Sequence, residues 1–157
     1  MAGPITEEIV ELIASGVDVY VATRDAELEP ESMLAMGIRI NADRDGLTVY
    51  LPTAICEQTR NNLEDNQAIA VTMIRPSDFK AVQLKGRSTK IRPSNETDKE
   101  FQAIFRAALI EQFEVVGIPR SSTRRLAWWP SIAVEATITD VFGQTPGPRA
   151  GEPLREG

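Results

Sequence analysis

The chain of 157 residues contains no histidine and a single cysteine, Cys56. The missing histidine excludes Ser-His-Asp and Cys-His catalysis, histidine zinc sites and histidine-ligated haem. One cysteine excludes an internal disulfide and a cysteine-cluster metal site. Cys56 is therefore either a small buried hydrophobe or, in the minority interpretation, a reactive thiol helped by Arg60. We expect that any chemistry here is not carried out by side chains alone.

The chain also lacks an excess of basic residues and lacks long apolar runs. The net charge of −6 argues against general nucleic-acid binding, which needs a basic face. No apolar run approaches the ~20 residues that a membrane span requires, so we expect no membrane partner. The N-terminus lacks the basic start and apolar middle of a signal peptide, which favours a cytoplasmic protein.

The pattern of apolar and turn residues predicts a mainly β domain with peripheral helices over residues 1–142. Residues 143–157 hold three glycines besides the last residue and three prolines, so we expect an extended tail. The predicted strands are 17–23, 31–41, 47–51, 67–74, 79–91 and 131–142, and the predicted helices are 5–15, 55–65, a long one after Pro93 and 121–127. Six strands with this spacing favour an antiparallel barrel.

The second predicted strand carries very small residues on one face. Strict alternation places Leu34, Met36, Ile38 and Ile40 on the core face, and Met33, Ala35, Gly37 and Arg39 on the other. The exposed backbone at Ala35 and Gly37 suits either a flat ligand ring or a covering subunit or helix. We therefore expect Gly37→Val to abolish ligand uptake while leaving the thermal midpoint of the ligand-free dimer nearly unchanged, because valine suits strands; loss of the dimer would instead indicate an interface.

Three further segments contain candidate ligand contacts. At the turn into the helix 55–65, Thr53, Thr59 and Arg60 accompany free backbone N–H groups, which suit a phosphate. Glu57 in the first turn argues against a phosphate there, so an ordinary helix capped by Thr53, with Arg60 paired to Glu57 or Glu64, is the better explanation of these residues alone. In the strand 79–91, alternation places Gln83 on a polar face and Lys80 opposite it. Of Trp128 and Trp129, one is expected in the core and the other over a ligand or a subunit interface.

The order of elements and several motifs resemble the FMN-binding split β-barrel family of pyridoxamine 5′-phosphate oxidase-like proteins. The motifs are Leu47-Thr48-Val49-Tyr50-Leu51, Asn62-Leu63-Glu64-Asp65-Asn66, Val82-Gln83-Leu84-Lys85-Gly86 and the ending Val141-Phe142-Gly143-Gln144-Thr145-Pro146-Gly147-Pro148. The resemblance implies a six-stranded antiparallel split barrel and a homodimer with two FMN sites between its subunits.

The resemblance also implies positions for the cofactor. The flavin ring would lie against the second strand near Ala35–Ile38, and its phosphate near Thr53, Thr59 and Arg60. Lys80 to Gln83 would border the far edge of the ring. The family's arginine, lysine and glutamine fall at Met33, Thr59 and Ala81, so Arg39, Arg60 or Lys80 must compensate. The complete set of predicted cofactor contacts is Ala35, Gly37, Arg39, Thr53, Thr59, Arg60, Lys80, Gln83 and Trp129.

Two functions are consistent with these features. The first is a flavin-dependent oxidoreductase, in which FMN transfers hydride or electrons and the protein orients the ring. Pyridoxamine-phosphate oxidation itself is not expected, because the family's substrate-binding histidine and its closing Arg-Leu-Ala-Pro segment have no counterpart here. The second is a non-enzymatic split-barrel dimer that binds another small molecule or no cofactor, which fits the missing phosphate-binding cations.

Overall fold

The computed structural model describes residues 3–154 and shows a mainly β fold with helices around it. The elements in chain order are α1 (Glu7–Ala14), β1 (Asp18–Arg24), β2 (Pro30–Ala35), β3 (Ile38–Ile40), β4 (Gly46–Pro52), α2 (Glu57–Asn66), β5 (Ala68–Ile74), β6 (Ala81–Pro93), α3 (Glu96–Val115), α4 (Arg120–Thr123) and β7 (Ser131–Gly143). The seven strands form one antiparallel sheet in the order β2-β1-β5-β6-β7-β4-β3. No helix within residues 3–154 is long and apolar enough to cross a membrane.

The strand count differs from the predicted six because the second strand is divided. Its two parts, β2 and β3, are joined by Met36 and Gly37 and lie at opposite edges of the sheet. Gly37 has a φ of +146°, which L side chains rarely adopt. The N–H of Met36 donates to the Tyr50 carbonyl at 2.8 Å, and the N–H of Tyr50 donates to the Gly37 carbonyl at 3.1 Å. The sheet therefore curls until its edges meet at Gly37, without a ladder between β2 and β3.

The core lies inside the curled sheet, beneath α1 and α3. Inward side chains of β1, β5 and β6 alternate as the sequence predicts, with Val21, Val71 and Leu84 fully buried. Burial of a side chain of this size stabilises a fold by about 1.5–3 kcal/mol. The sheet is therefore held together mainly by its inward face.

Helix α3 begins with a capping box formed by Asn95 and Asp98. The Asn95 side chain accepts a hydrogen bond from the N–H of Asp98, and the Asp98 carboxylate accepts one from the N–H of Asn95. From there the helix buries Phe105 and Leu109 in the core, whereas Ile104 is 72% exposed. The apolar side chains of α3 are thus only partly buried inside the subunit.

Two predicted segments differ in the structure. The short helix α4 ends at Thr123 rather than at residue 127. The tail beyond Gly143 is not extended, because residues 148–151 form a turn and the chain runs back along the end of β7. There the Leu154 N–H donates to the Val141 carbonyl at 2.8 Å, and the Gly143 N–H donates to the Glu152 carbonyl at 3.0 Å. The tail up to Leu154 therefore packs on its own subunit.

Candidate functional site

Two of the three predicted phosphate contacts at the corner between β4 and α2 already have partners in the same subunit. The side-chain hydroxyl of Thr53 donates to the Pro130 carbonyl at 3.0 Å. Arg60 Nε donates to Glu64 Oε1 at 2.8 Å, which is one of the two helix pairs that the sequence allows, and this pairing raises the pKa of Arg60. The helix begins at Glu57 after Cys56, without a side-chain cap, so Thr53 is not its cap.

The third contact, Thr59, belongs to a buried polar network that the sequence analysis missed. Thr59 is fully buried, and its hydroxyl donates to Glu31 Oε2 at 2.5 Å. Thr23 donates to the same oxygen at 3.3 Å, and Asn62 Nδ2 donates to Thr23 Oγ1 at 3.0 Å. The last hydrogen bond of this network runs from Gln58 Nε2, which donates to Asn62 Oδ1 at 2.9 Å. A carboxylate of this chain therefore lies at the position where the resemblance places a cofactor phosphate.

Cys56 lies at the same corner, directly before α2, and is a buried apolar residue. It is 4% exposed and forms part of the hydrophobic core, which supports the hydrophobe interpretation over the reactive thiol. Burial raises the pKa of its thiol, and the nearby Glu31 carboxylate raises it further. A thiol with a raised pKa holds less thiolate at neutral pH and is a poor nucleophile.

The prediction that small residues of the second strand form an outward face is wrong. Ala35 is completely buried in the core together with Met33, rather than facing outward. The break at Met36–Gly37 changes the alternation, so odd residues face the core before it and Ile38 faces the core after it. A Cβ on Gly37 would lie 2.8 Å from the Tyr50 ring, and Gln102 covers the same side. Neither residue offers an open face to a ring within one subunit.

Arg39 is placed beside an apolar cavity of about 370 Å³ between α1, β3 and α3. Its guanidinium carbon lies 4.2 Å from the centre of the Phe101 ring, a stacking distance for a cation on an aromatic face. The cavity is lined by Val10, Ile13, Ala14, Ile38, Arg39, Ile40, Phe101, Ile104, Phe105 and Ala108. It is an apolar space with one cation at its wall, the usual composition of a small-molecule site.

The last three predicted contacts lie elsewhere: Lys80 just before β6, Gln83 on β6 and Trp129 in the segment before β7. Lys80 forms an ion pair with Glu8 of α1. Gln83 is half-buried on the outer face of β6, where its Nε2 donates to Thr72 Oγ1 at 3.0 Å. Trp129 is half-buried beneath Lys99, whose Nζ lies 5.0 Å from its ring centre. Neither Arg39 nor Lys80 contacts the corner network, so they do not replace the cations missing from it.

Both tryptophans face α3, contrary to the expectation that they point to opposite sides. Their ring centres are 6.2 Å apart, and Arg106 lies over Trp128 as Lys99 lies over Trp129. The two cation–aromatic contacts hold the segment before β7 against the helix. Neither ring is in the core, since both are only half-buried.

A second polar cluster joins α3 to the sheet at the break between β2 and β3. Asp98 is 2% exposed and is bound by Arg92 through Nη1 at 2.6 Å and Nη2 at 3.2 Å. The Tyr50 hydroxyl donates to the same carboxylate at 2.9 Å. The Arg92 guanidinium lowers the pKa of Asp98 to about 2, and burial with the Asp98 carboxylate raises that of Tyr50 to about 12. Within residues 3–154 no group of acidic or cysteine residues is arranged to hold a metal ion.

Comparison with known families agrees with this geometry. A model of the family described as pyridoxamine 5′-phosphate oxidase matches residues 5–132, which include the divided strand, the β4–α2 corner and the start of β7. The chain belongs to this family. No curated protein matches the sequence.

Several solved structures share the fold at low identity. HupZ from Group A Streptococcus is 20% identical, with a TM-score of 0.57 over 94% of this chain and 99% of that one. General Stress Protein 26 from Bacillus anthracis is 14% identical, with a TM-score of 0.57 over 96% and 97%. An FMN-binding protein from Syntrophomonas wolfei is 9% identical, with a TM-score of 0.50 over 83% and 78%. Similarity at this level establishes the architecture and leaves the ligand open.

Proposed function

We propose that this protein is a homodimeric flavin-dependent oxidoreductase, with FMN as the first cofactor to test. The observation that carries the proposal is the family match over residues 5–132, and the FMN-binding relative from Syntrophomonas wolfei supports the choice of cofactor. A bound flavin would supply the hydride or electron transfer. A chain without histidine is consistent with such chemistry, since the protein then only binds, orients and shields the ring.

The apolar cavity beside β3 is the candidate site for an aromatic ring. Its volume of about 370 Å³ is within the range of small-molecule sites, and Phe101 and Phe105 contribute aromatic side chains to its lining. Arg39 is the predicted contact that lines this cavity, together with Ile38 of the predicted ring-binding strand. The guanidinium over Phe101 is positioned to interact with an electron-rich ring edge at the cavity wall.

The homodimer is supported by the outer face of the sheet. Small, half-buried side chains face outward from β1 and β5, and Ala22 is directly opposite Ala70. They border a shallow depression of about 540 Å³ that also includes Lys85 and Arg87 of β6. Small side chains allow a second backbone to approach closely, so this face suits a flat partner surface. This outer face, rather than the face with Ala35 and Gly37, is therefore the candidate contact surface for a second subunit.

The β4–α2 corner does not fit a flavin phosphate. The family's arginine and lysine positions hold the buried residues Met33 and Thr59, and the Thr59 hydroxyl is bound to the Glu31 carboxylate. Arg60 is paired with Glu64 on the exposed side of α2. A phosphate there would face a negative charge without a cation to offset it. This misfit favours a second candidate, a non-enzymatic split-barrel dimer that binds another small molecule or no cofactor.

The absorption spectrum of the purified protein, followed by titration with FMN, separates the two candidates. The oxidoreductase proposal expects a yellow protein with a flavin absorption band, or saturable uptake of FMN that quenches flavin fluorescence. A colourless protein that takes up neither FMN nor riboflavin, yet sediments as a dimer, would establish the second candidate. A compact particle of 17.3 kDa would reject both, because each needs two subunits.

A further inference from the structure

We infer that Glu31 acts as an internal anion that keeps phosphate-bearing ligands out of the corner between β4 and α2. The observation behind this is the geometry of its carboxylate. One oxygen accepts hydrogen bonds from the Thr59 hydroxyl at 2.5 Å and the Thr23 hydroxyl at 3.3 Å. Both threonines are buried, and Glu31 is half-buried. Glu31 is thus the residue that decides which ligands this corner accepts.

The carboxylate takes the hydrogen bonds that a bound phosphate would need. Thr59 occupies the third position of α2, so its hydroxyl lies at the positive end of the helix dipole. The first turn has no side-chain cap, and the one acid inside it, Glu57, is exposed to solvent. A negative group beside Thr59 is therefore stabilised by the helix end and by two hydroxyl donors. In this chain that group is Glu31.

The same carboxylate also opposes a second anion by charge. The nearest cation of α2, Arg60, is bonded to Glu64 and is about half exposed, so it does not neutralise Glu31. Asn62 and Gln58 extend the network with amide groups, which add donors and no net charge. A dianionic phosphate monoester placed near Thr59 would have to displace Glu31 or lie beside it, and both cost binding free energy.

The inference rests on the proposed function only where flavins are the probes. It implies that a flavin which binds this protein is held through its ring, and that the phosphate of FMN adds no affinity. Inorganic phosphate tests the corner itself and does not depend on flavin binding.

The experiment compares the wild type with Glu31→Gln and Glu29→Gln. Glutamine keeps the shape of the side chain and an acceptor oxygen for Thr59 but removes the charge. Glu29 is an exposed acid in the loop just before β2, and its side chain makes no hydrogen bond within residues 3–154, so its replacement changes the net charge equally. Each protein is titrated with FMN and with riboflavin, which lacks the phosphate. The melting temperature of each protein is also measured in inorganic phosphate and in sodium chloride at equal ionic strength.

We expect the wild type and Glu29→Gln to bind FMN no more tightly than riboflavin. In Glu31→Gln the affinity for FMN, and not for riboflavin, should rise about tenfold or more. Phosphate should raise the melting temperature of Glu31→Gln alone. The inference is wrong if the wild type binds FMN at least ten times more tightly than riboflavin, a measurement that needs no variant. It is also wrong if phosphate stabilises all three proteins equally. If none of the three proteins binds either flavin, the oxidoreductase proposal fails. The melting temperatures in phosphate then still decide the role of Glu31.

Discussion

The buried ion pair between Arg92 and Asp98 should be the main polar contribution that holds α3 on the sheet. We predict that Asp98→Asn destabilises the protein markedly. Asparagine has the shape of aspartate but loses the charge that Arg92 contacts through two nitrogens, at 2.6 and 3.2 Å. It also replaces one of the oxygens that accept from Tyr50 and from the N–H of Asn95. Since α3 forms one wall of the apolar cavity, the pair also holds that wall in place.

The size of the effect follows from the pKa and from burial. The pKa of Asp98 is lowered from 3.8 to about 2, and a shift of that size corresponds to about 2 kcal/mol of folding free energy. Removing one partner of a buried pair costs about 3–5 kcal/mol when the other charge is left without solvent. Arg92 is 28% exposed and has Glu135 at 3.6 Å, so we expect about 2–3 kcal/mol.

Urea unfolding at one fixed protein concentration measures this loss, because a dimer's stability depends on concentration. A loss of this size lowers the melting temperature by roughly 4–12 °C for a domain of this length. Asp98 has a lowered pKa in the folded protein, so its contribution is complete above the unfolded pKa and is lost as the pH falls. The difference between wild type and variant should therefore shrink between about pH 4 and pH 2.

Asp78→Asn is the matched control. Asp78 is also bound by an arginine through two nitrogens, Arg75 Nε at 3.0 Å and Nη2 at 2.7 Å, and its pKa is also about 2. Its side chain is 49% exposed, so solvent screens the pair and the substitution should change stability little. Equal effects of the two substitutions, or a difference that does not change with pH, would refute the argument from burial.

Three further outcomes are expected. Gly37→Val should destabilise the free protein by about 1–3 kcal/mol in urea unfolding, since its φ is +146° and a Cβ would lie 2.8 Å from the Tyr50 ring; an unchanged midpoint would restore the open-face interpretation. Ala108→Trp fills the apolar cavity and should abolish flavin uptake in a fluorescence titration, whereas Ala107→Trp on the exposed side of α3 should not; equal uptake would place the ring elsewhere. Ala70→Glu on the outer sheet face should convert the dimer into a monomer of 17.3 kDa in sedimentation; a stable dimer would exclude that face.

The elements that the sequence predicted correctly are those whose signals are local. Alternation is strict in β5 and holds from Val82 to Lys85 in β6, so Gln83 lies on the outer face, as predicted. The long helix predicted after Pro93 is present as α3, and it begins at a local capping box between Asn95 and Asp98, three positions apart. The i,i+4 pair of Arg60 and Glu64 is equally local. Family membership followed from the order of these elements.

Tertiary structure decided the faces of the divided strand and the character of the β4–α2 corner. A run of alternating residues does not show where the inward-facing positions switch from odd to even numbers. The switch occurs at Gly37, whose φ of +146° is required where the edges of the sheet meet. Glu31 and Thr59 are 28 residues apart, so their hydrogen bond depends on the packing of α2 against β2. The sequence by itself therefore determined the elements and the family, since period and turn chemistry act over a few residues. The fold decided the polar contacts between residues that are distant in the chain, because no local pattern brings such residues together.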